Sequence, residues 1–390
     1  FNMVKMFGYL PLTHWARSIL KDLFHNVTRQ LSSSVDISLQ VSNAAKEATI
    51  LVTGSQGGIA KCICELLKQS GSYLVRHSRP TLGEQINPDS PIVFMDFTSV
   101  IETTKILREM KFRRLDHVLH VAGLMKRNEK TSVMHCVNCL SPFALTLLLI
   151  PNILSSKDPR ITFVTSSSHI RSPSYHSGDF QKYLLADDST VKGTLAAYAS
   201  SKYNLILLGM ALRKKLTVPE VTIHHVHPGL VDTPMLKNYY SNTNNTISTS
   251  IHPLMKATRS FQSQIWRNVR KTLLLSSSEA AIHVLNAAYA PSPPKSNIPY
   301  FIHGIHSPDR LSQRFFIDKD DQVQDCFEDA IKMMPHELCR IAIDRLHHAD
   351  LVDADITPQQ RNQRMMAMKL LGDEMDRNCI KVCRNQCIAF

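Results

Sequence analysis

The run TLAAYASSKYNLILLGMALRKKL places a tyrosine and a lysine four residues apart, Tyr198 and Lys202. On a helix this spacing puts both side chains on one face, one turn from each other. A phenol ordinarily titrates at about pH 10. An ammonium one turn away favours tyrosinate and draws the phenol toward the working pH, which suits the pair to general acid–base chemistry. The same spacing also fits one exposed Tyr and one exposed Lys on an ordinary amphipathic helix, so its meaning depends on what else the chain carries.

A second chemistry-bearing stretch lies upstream. ILVTGSQGGIAKCICELL reads as a buried strand, a glycine-rich turn and the start of a helix, with Gly54, Gly58 and Ala60 in a T-G-x-x-x-G-x-[GA] spacing. The first glycine permits a tight turn, the second lets backbone N–H groups approach a pyrophosphate, and a small third residue lets helix pack on strand. The phosphates then lie at a helix N-terminus, where unpaired N–H groups and the dipole favour anions. An NAD site carries an acid at the end of the second strand to hold the ribose 2′-OH. Here YLVRHSRP fills that window, and nothing acidic lies between Glu65 and Glu84. Arg76 and Arg79 suit a 2′-phosphate instead. The expectation is NADP(H), with NAD(H) as the second choice. The plain alternative is two arginines facing solvent.

The elements that must position these residues are legible as alternation. Short β-type runs occur at ATILVTG, SYLVRH, IVFMDF, LDHVLHVAG, RITFVTSSS, VTIHHVHPG and IPYFIHG, and helical stretches separate most of them. Such alternation means an α/β fold, a Rossmann-type doubly wound parallel sheet with helices on both faces. The chain divides into three parts. Residues 1–46 form a basic, Ser-rich extension whose apolar residues, Leu12 to Val27, fall at helical spacing. It reads as an amphipathic helix that touches a membrane surface through residues 1–30, as a mitochondrial transit peptide, or as a helix docked on the core. Residues 47–318 form the nucleotide-binding domain, and 319–390 a charged, helical C-terminal extension. FALTLLLIPNIL is too short for a membrane span and is broken by Pro151, so it reads as a buried helix.

Composition narrows the partners. With 45 Lys+Arg against 33 Asp+Glu, the net charge is +12, which suits an anionic partner such as a phosphorylated cofactor or a membrane surface. No zinc-finger spacing, RNP-like aromatic motif or basic-region heptad occurs, so nucleic acid is not expected. Nine cysteines in a chain of this length point to reduced thiols and an intracellular, cytosol-facing location, with the mitochondrion as alternative. Cys379, Cys383 and Cys387 fall on one face of a terminal helix, without the spacing of a metal site.

Taken in order, these motifs resemble the short-chain dehydrogenase/reductase superfamily over roughly residues 47–310, and within it most closely the retinol-dehydrogenase-like branch. The resemblance implies roles. TGSQGGIA looks like the cofactor loop, with Thr53, Gly54, Gly58 and Ile59. MDF supplies Asp96 for the adenine. HVAG stands where the family has N-N-A-G and brings Ala122 and Gly123. CVNCLSPF offers Asn138, which would hold a water linking Lys202 to solvent. RITFVTSSSH ends in a catalytic serine, Ser166 by register, with Ser167 as its rival. Tyr198 is the acid/base, and Lys202 also bonds the nicotinamide ribose. HPGLVDTPM resembles the segment at the nicotinamide end, with Pro228, Gly229, Val231 and Thr233.

The implied activity is hydride transfer between NADP(H) and a lipophilic carbonyl or alcohol of the retinoid, steroid or lipid aldehyde class, with no metal. A homodimer through the long helices goes with it, unless the C-terminal extension blocks that face. Three departures bear on this. His120 and Val121 replace both asparagines of N-N-A-G, the first of which normally braces the central strand. The stretch from Gly123 to Asn138 is shorter than usual. The stretch from Ser166 to Tyr198 spans 32 positions, room for a wall of the substrate pocket, with 234–275 as its lid. The first two, with the long C-terminal helices, favour the alternative of a catalytically slow, cofactor-binding regulatory or scaffold protein.

Overall fold

The computed structural model describes residues 22, 39–78, 92–94, 114–126, 130–185, 191–216, 221–236, 274–293, 298–311, 315, 319–349, 351 and 356–383. Seven strands form where the alternating runs predict them: β1 (Thr49–Val52), β2 (Tyr73–Ser78), β3 (Ile92–Phe94), β4 (His117–His120), β5 (Arg160–Val164), β6 (Thr222–His227) and β7 (Tyr300–Ile302). A two-residue β8 (Ile305–His306) adds an antiparallel edge. The sheet order is β3-β2-β1-β4-β5-β6-β7-β8, parallel through β7. Strand order reverses between β1 and β4, and the crevice beyond their C-terminal ends is where doubly wound sheets take ligands.

Two apolar layers flank the sheet. On one side Ile50, Val52 and Leu119 pack with α1 (Leu39–Ala45), α2 (Gly58–Gln69) and α7 (Ser277–Ala288). On the other, Leu51, Val118 and Phe163 pack with α4 (Ser141–Ile153) and α6 (Val191–Lys215). This is the β-strand period at work: neighbouring residues of β1 face opposite layers. Twelve of the thirteen α4 residues are buried, so the helix is apolar all round because protein covers it all round. With α3 (Thr131–His135) it passes for a membrane span by length and composition, yet 83% of that window lies inside the fold, as expected for a buried helix.

Three C-terminal helices provide that cover: α8 (Lys319–Met333), α9 (His336–His348) and α10 (Pro358–Cys383). Arg345 of α9 donates to Leu148 O and to Asn152 Oδ1, and Arg364 of α10 donates to Leu154 O and Ser156 O. Both guanidinium groups lie along the C-terminal part of α4, where the dipole favours cations, and Arg364 takes carbonyls just past the helix end. On α8, Gln322 accepts from Tyr203 Oη at 2.7 Å and from Tyr175 N at 3.0 Å. The long helix bearing the Tyr–Lys pair is thus anchored one residue beyond Lys202.

Close approach fixes α6 on the sheet. A Cβ on Gly209 would lie 2.2 Å from Cε1 of His225, and that ring cannot retreat, because it stacks on Phe163 at 5.7 Å. Gly209→Ala is therefore expected to destabilise the fold by about 1–3 kcal/mol, the usual cost of overpacking. Urea unfolding checks this; an unchanged midpoint would mean that α6 slides freely on β6.

Candidate active site

The glycine turn between β1 and α2 meets both requirements set for it. Gly54 has φ +69°, and a Cβ there would lie 2.8 Å from the Ala122 Cα, so backbone conformation and space both demand glycine. The neighbouring Thr53 is a brace: its Oγ1 accepts from Val121 N at 3.0 Å and Ala122 N at 3.1 Å, tying the ends of β1 and β4 together. No side chain caps the N-terminus of α2, which opens with Gly57 and Gly58. This is a cradle with backbone donors and no Cβ in the way, and it fits a dinucleotide pyrophosphate. A Cβ on Gly58 would lie 2.8 Å from Ser277 Oγ and 3.4 Å from Pro234 Cδ, so α7 begins directly over the cradle. Ile59 packs with Val231, Leu275 and Ala280 on the same side.

His77, which the sequence does not single out, holds the turn from β2. Its Nδ1 accepts from Gly54 N at 3.2 Å, and its carbonyl accepts from Ser55 N at 2.9 Å. Arg76 lies level with Val52 in the β1–β2 register, two residues short of Gly54, and its charge acts on Cys64 of α2. Arg79 and Asp96 lie outside the described residues, as do 237–273 of the expected lid.

Across the crevice, Ala122 and Gly123 follow β4. A Cβ on Gly123 would lie 3.4 Å from Lys202 Nζ and 3.5 Å from Asn138 Oδ1, so the two side chains converge on this glycine. Lys202 is buried and donates to Val164 O at 2.9 Å. Burial lowers its pKa to about 8. Asn138 sits in a π-helical turn, Cys136–Leu140, between α3 and α4. The extra residue of a π-turn turns a side chain inward without ending the helix. That side chain clamps Leu124: Oδ1 accepts from Leu124 N at 2.6 Å, and Nδ2 donates to Leu124 O at 2.8 Å and to Ser201 Oγ at 3.0 Å. Both amide hydrogens are thereby engaged, which leaves a lone pair of Oδ1 for any water near Lys202.

Burial separates Ser166 from its rival. Ser167 is buried inside the short 3₁₀ turn Ser167–Arg171, whereas Ser166 precedes it, half-buried, and accepts from Ser168 N at 3.2 Å. Ser166 also hydrogen-bonds Tyr198. Burial raises the Tyr198 phenol above its ordinary value, and the Ser166 hydrogen bond pulls the other way. Lys202 Nζ lies 6.0 Å from the centre of the Tyr198 ring. Ser201 Oγ, held by Asn138, donates to the backbone carbonyl of Tyr198 at 2.9 Å, which ties the Asn138 side chain to the helix that carries Tyr198 and Lys202.

The segment after β6 closes the crevice. Gly229 has φ +98°, and a Cβ there would lie 2.5 Å from His303 Cε1. Pro228 O lies 3.4 Å from His283 Nδ1. Val231 bridges to Leu275, Thr233 Oγ1 accepts from Leu236 N at 3.3 Å, and Met235 Cε reaches to 3.8 Å from where a Gly123 Cβ would stand. The glycine cradle, the side chains around Gly123 and this segment therefore face one crevice.

The HVAG departure has a local answer. His120 Nε2 lies 2.8 Å from Thr146 Oγ1, whose own hydrogen goes to Pro142 O, so the ring is the donor. The ring also stacks on Phe163 at 4.9 Å. The brace expected from an asparagine is made by His120 to α4 and by Thr53 to the backbone of Val121.

The chain matches the family model described as short chain dehydrogenase over residues 48–177. It is 29% identical over 205 residues to dehydrogenase/reductase SDR family member 13 of Bos taurus, covering 48% of this chain and 52% of that protein. It is 25% identical over 225 residues to retinol dehydrogenase 13 of Homo sapiens, covering 53% of this chain and 66% of that one. The chain thus spans about half to two thirds of the length of these relatives. A short-chain dehydrogenase/reductase structure from Saccharomyces cerevisiae aligns at 20% identity and a TM-score of 0.49, covering 67% of this chain and 98% of that one.

Proposed function

This chain belongs to the short-chain dehydrogenase/reductase superfamily, in its retinol-dehydrogenase-like part, and from that premise we propose that it is an NADP(H)-dependent oxidoreductase acting on a lipophilic carbonyl or alcohol. The observation that carries the reading is the convergence of Lys202 and Asn138 on Gly123, with Tyr198 one helical turn from Lys202 and Ser166 beside Tyr198, across the crevice from the glycine cradle. Bound nicotinamide would supply or accept the hydride. The chain's own residues do the rest. Thr53 and His77 hold the turn whose backbone binds pyrophosphate. Ser166 would donate to the substrate oxygen and stabilise charge developing there. Tyr198, kept protonated by burial, is in the state a general acid needs to deliver its proton to a carbonyl oxygen. Lys202 presents its ammonium beside Gly123, where the ribose of the cofactor would lie. Asn138 positions both through Leu124 and Ser201.

The finer parts of the reading are cofactor choice, substrate class and surroundings. Arg76 and Arg79 favour a 2′-phosphate, and Asp96 would meet the adenine. The retinol dehydrogenase relative and the apolar face of residues 12–27 favour a lipophilic substrate. The basic stretch 1–30 suits contact with an anionic membrane surface, on the cytosolic face or in the mitochondrion. Since α8 and α9 already lie on α6 and α4, a homodimer would use other faces.

Cofactor titration with substrate screening tests the proposal. NADPH is expected to bind at least about tenfold tighter than NADH, as a bidentate arginine–phosphate contact is worth a few kcal/mol. NADPH should then be consumed with at least one member of a panel of retinoid, steroid and lipid aldehydes. Equal affinity for both cofactors would remove the NADP(H) assignment. Tight binding without turnover on any carbonyl would favour the slow, regulatory reading.

A further inference from the structure

Asp22 belongs to the basic N-terminal stretch, yet it is fully buried, with 0% of its surface exposed. A buried carboxylate is strongly disfavoured unless its surroundings supply positive charge and hydrogen bonds. Arg310 Nη2 donates to its Oδ1 at 2.6 Å. His227 Nε2 lies 3.2 Å from its Oδ2, and His303 Nε2 lies 3.9 Å from its Oδ1. Both histidines sit against the same segment of the site. His227 ends β6 and is followed directly by Pro228 and Gly229, while the His303 ring fills the space beside Gly229 that a Cβ would need. His283 of α7 completes the group: its Nδ1 lies 3.4 Å from His303 Nδ1 and 3.4 Å from Pro228 O. Tyr300 of β7 also feels the Asp22 charge. One carboxylate thus bonds His227 on one side of the turn at Pro228 and Gly229 and lies 3.9 Å from the His303 ring on the other.

We propose that Asp22 is a positioning residue of the cofactor site: it is docked in cis at this point, and its carboxylate, bonded to His227 and set against His303, seats the 228–233 segment. The proposal rests on the reading of 228–233 as the nicotinamide-contacting segment. Of the three expectations for the N-terminal stretch, it selects docking at Asp22. Loss of this carboxylate would remove the acceptor that Arg310 and His227 share.

Asp22→Asn tests this in the full chain, because it keeps the side chain's shape and an acceptor for Arg310 while removing the charge. Three quantities are measured: backbone hydrogen exchange without cofactor, NADPH affinity by fluorescence titration, and kcat at saturating NADPH. Exchange over 227–233 should quicken by at least about fivefold, a local loosening short of global unfolding. The NADPH Kd should weaken by about tenfold with kcat at saturation within about twofold of the parent. If Asp22→Asn fails to fold, Arg310→Lys serves, since it retains the charge at a partly exposed side chain; it should show the same split at about threefold in Kd. Unchanged exchange over 227–233 in a folded variant, or a fall in kcat with unchanged Kd, would overturn the proposal. A parent chain that binds no NADPH would instead remove the functional reading, and exchange would still decide whether Asp22 seats the segment.

Discussion

Tyr198→Phe is expected to lower carbonyl reduction by about 10² to 10⁴ while NADPH binding stays within about twofold of the parent. The substitution keeps the ring, and with it the packing of α6, and deletes only the hydroxyl that bonds Ser166. Losing that hydrogen bond costs stability of about 1 kcal/mol, too little to unfold the chain. Two features make the loss specific to proton transfer. Burial raises the Tyr198 phenol, so in the free chain it carries its proton at neutral pH. Among the described side chains beside it, neither Ser166 nor Asn138 can replace it as an acid: a serine hydroxyl is too weak, and both Asn138 amide hydrogens are engaged by Leu124 and Ser201. Steady-state kinetics on the parent's best substrate, with NADPH titration alongside, checks both halves. Full turnover in the variant would place the proton donor elsewhere and reduce Tyr198 to a packing residue. A loss of NADPH binding equal to the loss of turnover would make its role structural.

Much of this site was legible in the chain because its parts are local. The seven strands follow from short β-branched runs between helical stretches, and the glycine turn announces itself by sitting between a buried strand and an amphipathic helix. What was not legible depends on contacts between distant segments. Whether Ser166 or Ser167 faces the crevice is decided by a 3₁₀ turn that buries one and leaves the other half-exposed. Asn138 is placed by a π-turn, and one extra residue within a helix leaves no mark in composition. His77 looks like any strand residue until its ring is seen to accept from Gly54 N, twenty-three positions earlier. Asp22 is the one acid of residues 1–30, and nothing in periodicity places it against Arg310, 288 residues away.

The same distance effect underlies the second large expectation: the fold is lost in mild acid. His117, His120, His135, His224 and His225 are all buried, and burial pushes each of them down: His120 and His225 to about 3, His135 and His224 to about 4, and His117 well below its ordinary value. These folded values lie below the unfolded value near 6.5, so the unfolded chain takes up protons that the folded chain refuses. The resulting stability is fully present above about pH 7.5, and it is lost as pH falls through 6.5 toward the folded values. At pH 5.5 each such histidine forfeits about 1.4 kcal/mol, and five together about 7 kcal/mol, comparable with the whole stability of a typical domain. Circular dichroism between pH 8 and pH 4.5 should therefore show cooperative unfolding between about pH 5 and 5.5. His225 offers the internal control: both of its ring nitrogens are buried without hydrogen-bond partners, and its ring is held between Phe163 and Gly209. His225→Leu removes one protonation site at nearly constant volume and should move the acid midpoint down by a few tenths of a pH unit, about one fifth of the titrating slope. A chain that keeps its spectrum to pH 4.5, or a His225→Leu variant that unfolds at higher pH than the parent, would mean that the rings accept protons within the fold. The strands that carry the site would then be held by something other than this neutral, stacked interior.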